Sequence, residues 1–74
     1  SRRDLAKKAK AITEESKIAV RNIRREYIDF VKEADDMTED LQKRVQEEIE
    51  KVVSETIAEV DTTYANKEKE IMTL

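Results

Sequence analysis

The sequence predicts an all-α protein, a long antiparallel helical hairpin, on three observations. Its 74 residues include no Gly, Pro, Cys or Trp, and 45% of them are charged, a composition that favours long helices over sheets and tight turns. Small and apolar residues recur at steps of three and four along most of the chain, which is the period of one helical face. A single stretch, Asp35-Asp36-Met37-Thr38, reads as a turn.

The first helix is expected over about residues 2–34. Leu5, Ala9, Ile12, Ser16, Ala19, Ile23, Tyr27, Phe30 and Ala34 mark its core face, and nothing in between breaks the helix. At 1.5 Å per residue it runs about 45–50 Å. The turn is expected at about residues 35–38. Thr38, followed by Glu39 and Asp40, has the form of an N-cap with an acidic first turn. The second helix then covers about residues 39–72, with Leu41, Val45, Ile49, Val52, Val53, Ile57, Val60, Tyr64 and Ile71 as its apolar positions. Glu39/Lys43, Asp40/Arg44 and Glu47/Lys51 have the spacing and order of stabilising helix-surface ion pairs.

Two helices alone leave each apolar stripe with one neighbour, and small scaffolds usually need more than that. Val20, Ile28 and Val31 widen the apolar face of the first helix beside its main stripe, as expected of a helix with two partners. A third helix or a second chain is therefore expected on that side. The opening Ser1-Arg2-Arg3, without Met, predicts that the chain is a fragment.

Several function classes are excluded early. Without cysteine there is no disulfide framework, so an intracellular setting is the default expectation. The longest apolar run, Ile18-Ala19-Val20, falls far short of the roughly 20 residues of a membrane span, and no signal-peptide pattern opens the chain. A soluble protein is expected. With no His and no Gly-rich loop, Ser1, Ser16 and Ser54 have no base to activate them, so no catalytic residues are assigned. Glu47, Glu48 and Glu50 read as a solvated acidic face, with no metal or cofactor expected.

The net charge of −3 conceals a division. Ser1 to Arg25 carries nine basic against three acidic residues, +6, while the remainder carries six against fifteen, −9. Such polarity points to an anionic partner for the basic half. On a helical wheel Arg3, Lys7, Lys10, Lys17, Arg21, Arg24 and Arg25 fall within an arc of about 100°, roughly 150° from the apolar stripe. They are expected to project from the exposed back of the helix, with Glu14 as the only acid among them. A rigid row of this kind tracks phosphates and makes affinity steeply salt-dependent. In the Arg21/Arg24/Arg25 cluster the planar guanidinium can also grip a phosphate bidentately.

Tyr27, Phe30 and Tyr64 are the only aromatic residues, and their spacing places them in the core. No DNA-reading motif is present, so structured RNA read by shape is favoured over DNA. The Ala- and Ser-rich apolar stripe lacks Trp, which argues against membrane insertion.

The run KIAVRNIRRE at residues 17–26, followed by TEDLQKRVQEEIEK at 38–51 and NKEKEIM at 66–72, resembles the C-terminal part of the ribosome recycling factor family over nearly the whole chain. The resemblance implies the second and third helices of an elongated three-helix bundle. The family's first helix and its inserted β-rich domain have no counterpart here, and Leu74 would stand at the family's C-terminus. It also implies a translation factor that enters the space between ribosomal subunits and, with elongation factor G, splits post-termination ribosomes. The family's VRNxRR arginines face large-subunit rRNA, a role that passes to Arg21, Arg24 and Arg25, with Asn22 closer to the bundle. Arg2 falls where the family tends to place a basic residue, while Arg3, Lys7, Lys10 and Lys17 join from the stripe alone. Where the family commonly continues Asp-Ala-Asn, this chain has Glu26-Tyr27-Ile28, which places a large aromatic on the core face.

The expected function is thus rRNA binding within a non-enzymatic translation factor, in the cytoplasm of a bacterium or otherwise in a chloroplast or mitochondrion. The competing expectation is a structural, oligomerising hairpin whose charges only solubilise it. A generic RNA-binding hairpin with no preference for post-termination ribosomes is a third.

Overall fold

The computed structural model describes residues 1–73, and Leu74, expected at the family's C-terminus, lies outside them. Two helices account for nearly all of it: α1, Arg2–Glu33, and α2, Glu39–Thr73, packed antiparallel. This is the all-α hairpin that the sequence predicts.

Each helix starts at a capping hydroxyl. Ser1 Oγ accepts the Asp4 N–H at 3.3 Å, with Asp4 in the first turn, which satisfies one of the orphan donors at a helix start. Thr38 does the same for α2: its Oγ1 accepts the Leu41 N–H at 3.2 Å and its carbonyl accepts the Gln42 N–H at 2.9 Å. Between the helices the chain turns without any residue at positive φ, so the absence of glycine costs it nothing. Ala34 swings to an extended conformation, φ −72° and ψ 113°. Its carbonyl then receives the Gln42 side-chain amide at 3.0 Å. One side chain of α2 thereby closes the end of α1.

The hairpin is a thin rod of 54 × 15 × 9 Å, with a radius of gyration of 17.0 Å. A compact chain of this length would measure about 11 Å. Val31, 3% exposed, is the one buried residue among those described. The seam between the helices uses Ala6, Ala9, Thr13, Ser16, Val20, Ile28 and Val31 of α1, all at least half-buried. Facing them, Val45, Ile49, Val53, Ile57, Val60 and Tyr64 supply the α2 side. Hydroxyls fit this seam because they bond back along their own helix: Thr13 to the Ala9 carbonyl at 2.8 Å, and Thr56 to that of Val52 at 2.8 Å. Each satisfies its donor without water.

The seam corrects the sequence reading. The stripe taken as the core face is largely open, with Leu5, Ile12, Ile23, Tyr27 and Phe30 all exposed and Phe30 at 70%. The flank of Val20, Ile28 and Val31 meets α2 instead. The small and apolar arc of α1 is wider than one seam, and α2 settles on the edge nearer the basic row, where its carboxylates reach Lys17 and Arg24. Tyr27 and Phe30 are consequently outside the core, and Tyr64 alone of the three aromatics is half-buried. The expected pairs Glu39/Lys43, Asp40/Arg44 and Glu47/Lys51 do not close within 4 Å among the described residues. Fully solvated side chains gain too little from such contacts to be held in one geometry.

Candidate nucleic-acid interface

The eight basic residues singled out from the sequence divide into two groups. Arg2, Arg3, Lys7, Lys10, Arg21 and Arg25 are exposed, and among the described residues none has a carboxylate within 4 Å. Arg2 stands at the N-terminal end on the seam side, off the row formed by the others. Arg25 donates to the Asn22 side-chain oxygen at 3.3 Å, a contact along the helix that leaves most of its guanidinium free.

Lys17 and Arg24 are placed differently, and here the expectation of an exposed back is corrected. Both lie on the shoulder of the seam, where α2 presents acids. Arg24 directs Nε and Nη2 at one oxygen of Glu50, each at 2.7 Å. Charge-assisted contacts of this length are strong, and the hydrogen bond and charge of Glu50 raise the Arg24 pKa further above its ordinary value. The Lys17 ammonium contacts Asp61 directly and lies 3.6 Å from Glu14. Its side chain is only 14% exposed, too little to offer the ammonium to an outside phosphate. The Asp61 hydrogen bond, with smaller contributions from the charges of Asp61 and Glu14, raises the Lys17 pKa against the opposing effect of burial.

Neutralising Lys17 interrupts the row. Between Lys10 and Arg21 lie eleven helical steps, about 16 Å, with Glu14 and the tethered Lys17 in the gap. The free cations therefore form two nodes: Arg3, Lys7 and Lys10 near the open end of the hairpin, and Arg21 and Arg25 towards its middle. Lys32, exposed and without a carboxylate within 4 Å among the described residues, extends the second node. Its place one heptad after Arg25 is visible in the sequence, but the row as first read stops at Arg25. Glu50, expected on a solvated acidic face with Glu47 and Glu48, is instead half-buried against Arg24, and the part of Asp61 is not foreseen in the sequence; their separation of eleven residues, three helical turns, puts the two on one face of α2.

Beside the first node, Tyr64 closes a shallow hollow together with Glu68 and Met72. Its hydroxyl donates to Glu68 Oε2 at 2.6 Å, and that bond, followed by burial, raises the Tyr64 pKa. Raised values for Lys17 and Tyr64 have one sign in terms of stability. Each contact is fully present below the group's unfolded pKa and is lost as pH climbs through the raised folded value. We expect the thermal midpoint to hold from pH 7 to about 10 and to fall above it. A Lys17→Met, Tyr64→Phe variant should lose most of that alkaline fall; an unchanged fall in circular-dichroism melts would show that these pairs do not form in solution.

The free cations of the row give this face the charge and spacing to meet an anionic polymer. Among the described residues no group of three or more His, Cys, Asp or Glu could hold a metal ion. No helix is long and apolar enough to cross a membrane.

Comparison with known proteins gives a consistent picture. The family model described as ribosome recycling factor matches residues 1–72. Ribosome-recycling factors of Streptococcus pneumoniae strains Hungary19A-6, 70585 and JJA are each 44% identical to the chain over 75 aligned positions. The alignments cover 97% of this chain and 40% of each relative, so the chain spans about two fifths of the length of these curated relatives. No solved structure gives a significant match.

Proposed function

The chain belongs to the ribosome recycling factor family, and from that membership we propose that it is the RNA-facing helical part of a translation factor acting on the ribosome. The observation that carries the reading is the pair Arg21 and Arg25 in the VRNIRR run, exposed and unpaired by any carboxylate of the described residues. These two and Arg3, Lys7 and Lys10 grip large-subunit rRNA phosphates at two nodes. Arg24 and Lys17 hold α2 in place so that the nodes stay aligned. Arg2 adds charge at the end of the rod.

The protein has no catalytic step of its own on this reading. In its full-length form it works with elongation factor G to separate the subunits of post-termination ribosomes. The open apolar side of α1 takes a third helix, the family's first, which completes the bundle. A structural hairpin without an RNA role is the competing reading, and the basic nodes weigh against it, because a surface that only solubilises mixes its charges.

The test is co-sedimentation of the chain with large ribosomal subunits across a salt series. Five phosphate contacts imply an affinity that drops about a hundredfold or more between 50 and 200 mM salt. A stable dimer that ignores ribosomes at low salt would support the structural alternative instead.

A further inference from the structure

The side of the hairpin away from the basic row carries a continuous apolar groove. Its turn-proximal part is lined by Val20, Ile23, Tyr27, Ile49, Val52 and Thr56. The part towards the open end begins at the same Thr56 and continues past Ser16 to Ile12.

Both banks of this groove are predominantly acidic, although Arg24 and Lys67, each paired with a glutamate, also line it and the exposed Lys8 lies on the α1 bank. On α1, Glu15, Glu26 and Glu33 lie about 60° beyond the Ile12/Ile23 line. On α2, Glu48 and Glu59 line the groove itself, and Glu55 sits between them on the same bank. All six are exposed, and among the described residues none has a Lys, Arg or chain N-terminus within 4 Å. The acids on the opposite side behave otherwise: Glu14, Glu50 and Asp61 all pair with α1 cations. At the open end of the groove Lys67 pairs with Glu70, and the six carboxylates of the banks are left without such a partner among the described residues.

We propose that the groove is the docking site of an amphipathic helix whose apolar stripe is flanked on both sides by Lys and Arg. This rests on the reading that a helix covers the groove and adds the charge pattern that helix carries; it does not depend on RNA binding. A second copy of this chain is a poor occupant. Groove against groove, it would set glutamate banks against glutamate banks, and like charges facing one another across an interface discriminate strongly against the pairing.

Two synthetic helical peptides with the same apolar stripe test the proposal, one with Lys/Arg flanks and one with Glu flanks, by fluorescence anisotropy against the 74-residue chain. At 50 mM salt the basic peptide should bind about tenfold more tightly, with the ratio shrinking at 500 mM. Glu48→Gln with Glu59→Gln should reduce that ratio, whereas Glu39→Gln with Glu47→Gln, away from the groove, should not. Equal binding of the two peptides would overturn the charge pattern while keeping the groove as a helix site. Binding of neither would overturn the helix site as well. An equal loss in both double variants would assign the preference to overall charge and sink the proposal. Self-association of the chain alone, seen by sedimentation equilibrium, would make a second copy the occupant.

Discussion

Replacing Arg21 and Arg25 together with Ala is expected to weaken binding to large ribosomal subunits by about ten- to a hundredfold at moderate salt, with helicity unchanged. Each lost phosphate contact should also flatten the dependence of log affinity on log salt by about 0.7–0.9, so the double variant loses roughly 1.5 of slope. Arg24→Ala provides the contrast. Because its guanidinium is committed to Glu50, its loss should lower the thermal midpoint and leave the salt slope nearly unchanged. An Arg24 variant that loses slope as the double variant does would mean that its pair with Glu50 opens on the ribosome. Unaltered binding by the double variant would remove these two arginines from the interface.

The second large effect concerns stability. Val31→Asp should abolish cooperative unfolding of the hairpin, because it places an unpaired charge at the one buried position among the described residues. An unsatisfied buried group costs about 3 kcal/mol or more, a large share of what a rod this thin can hold. Val31→Ala, which removes only packing, should cost about 2 kcal/mol and lower the midpoint by about 10 °C. Phe30→Ala gives the counterpart. At 70% exposure its removal should change the stability of the monomer by no more than about 0.5 kcal/mol. If circular-dichroism melts put Phe30→Ala alongside Val31→Asp, the seam lies on the other side of α1.

Those two variants mark the limit of what the sequence reveals. Fold class was legible, since uninterrupted steps of three and four and one capping Thr38 leave a two-helix hairpin as the simplest solution. Which edge of α1 meets α2 was not, because the small and apolar arc from Ala19 round to Ile28 is wide enough for two seams. The choice between them depends on residues far away in the chain. Arg24 and Glu50 are 26 positions apart, and only the register of the finished hairpin shows that they meet. The same holds for Lys17 and Asp61. A wheel drawn for α1 alone counts both cations as free, since it shows Glu14 but neither Glu50 nor Asp61, the acids of α2 that hold them. Arg3, Lys7, Lys10, Arg21 and Arg25 are expected to be exposed and are exposed, and among the described residues no carboxylate lies within 4 Å of them.

The division of the rod into a basic side and a side of glutamate banks has a dynamic consequence. Charge separated across a body 54 Å long and at most 15 Å wide gives it a transverse electric moment. A polyanion then exerts a torque on the rod before contact and rolls it about its long axis until the arginine nodes lead. Rolling about the long axis displaces little water, so alignment is fast compared with end-over-end tumbling. The same torque turns the glutamate banks outward, and a helix seated between them rides on the trailing side of the encounter.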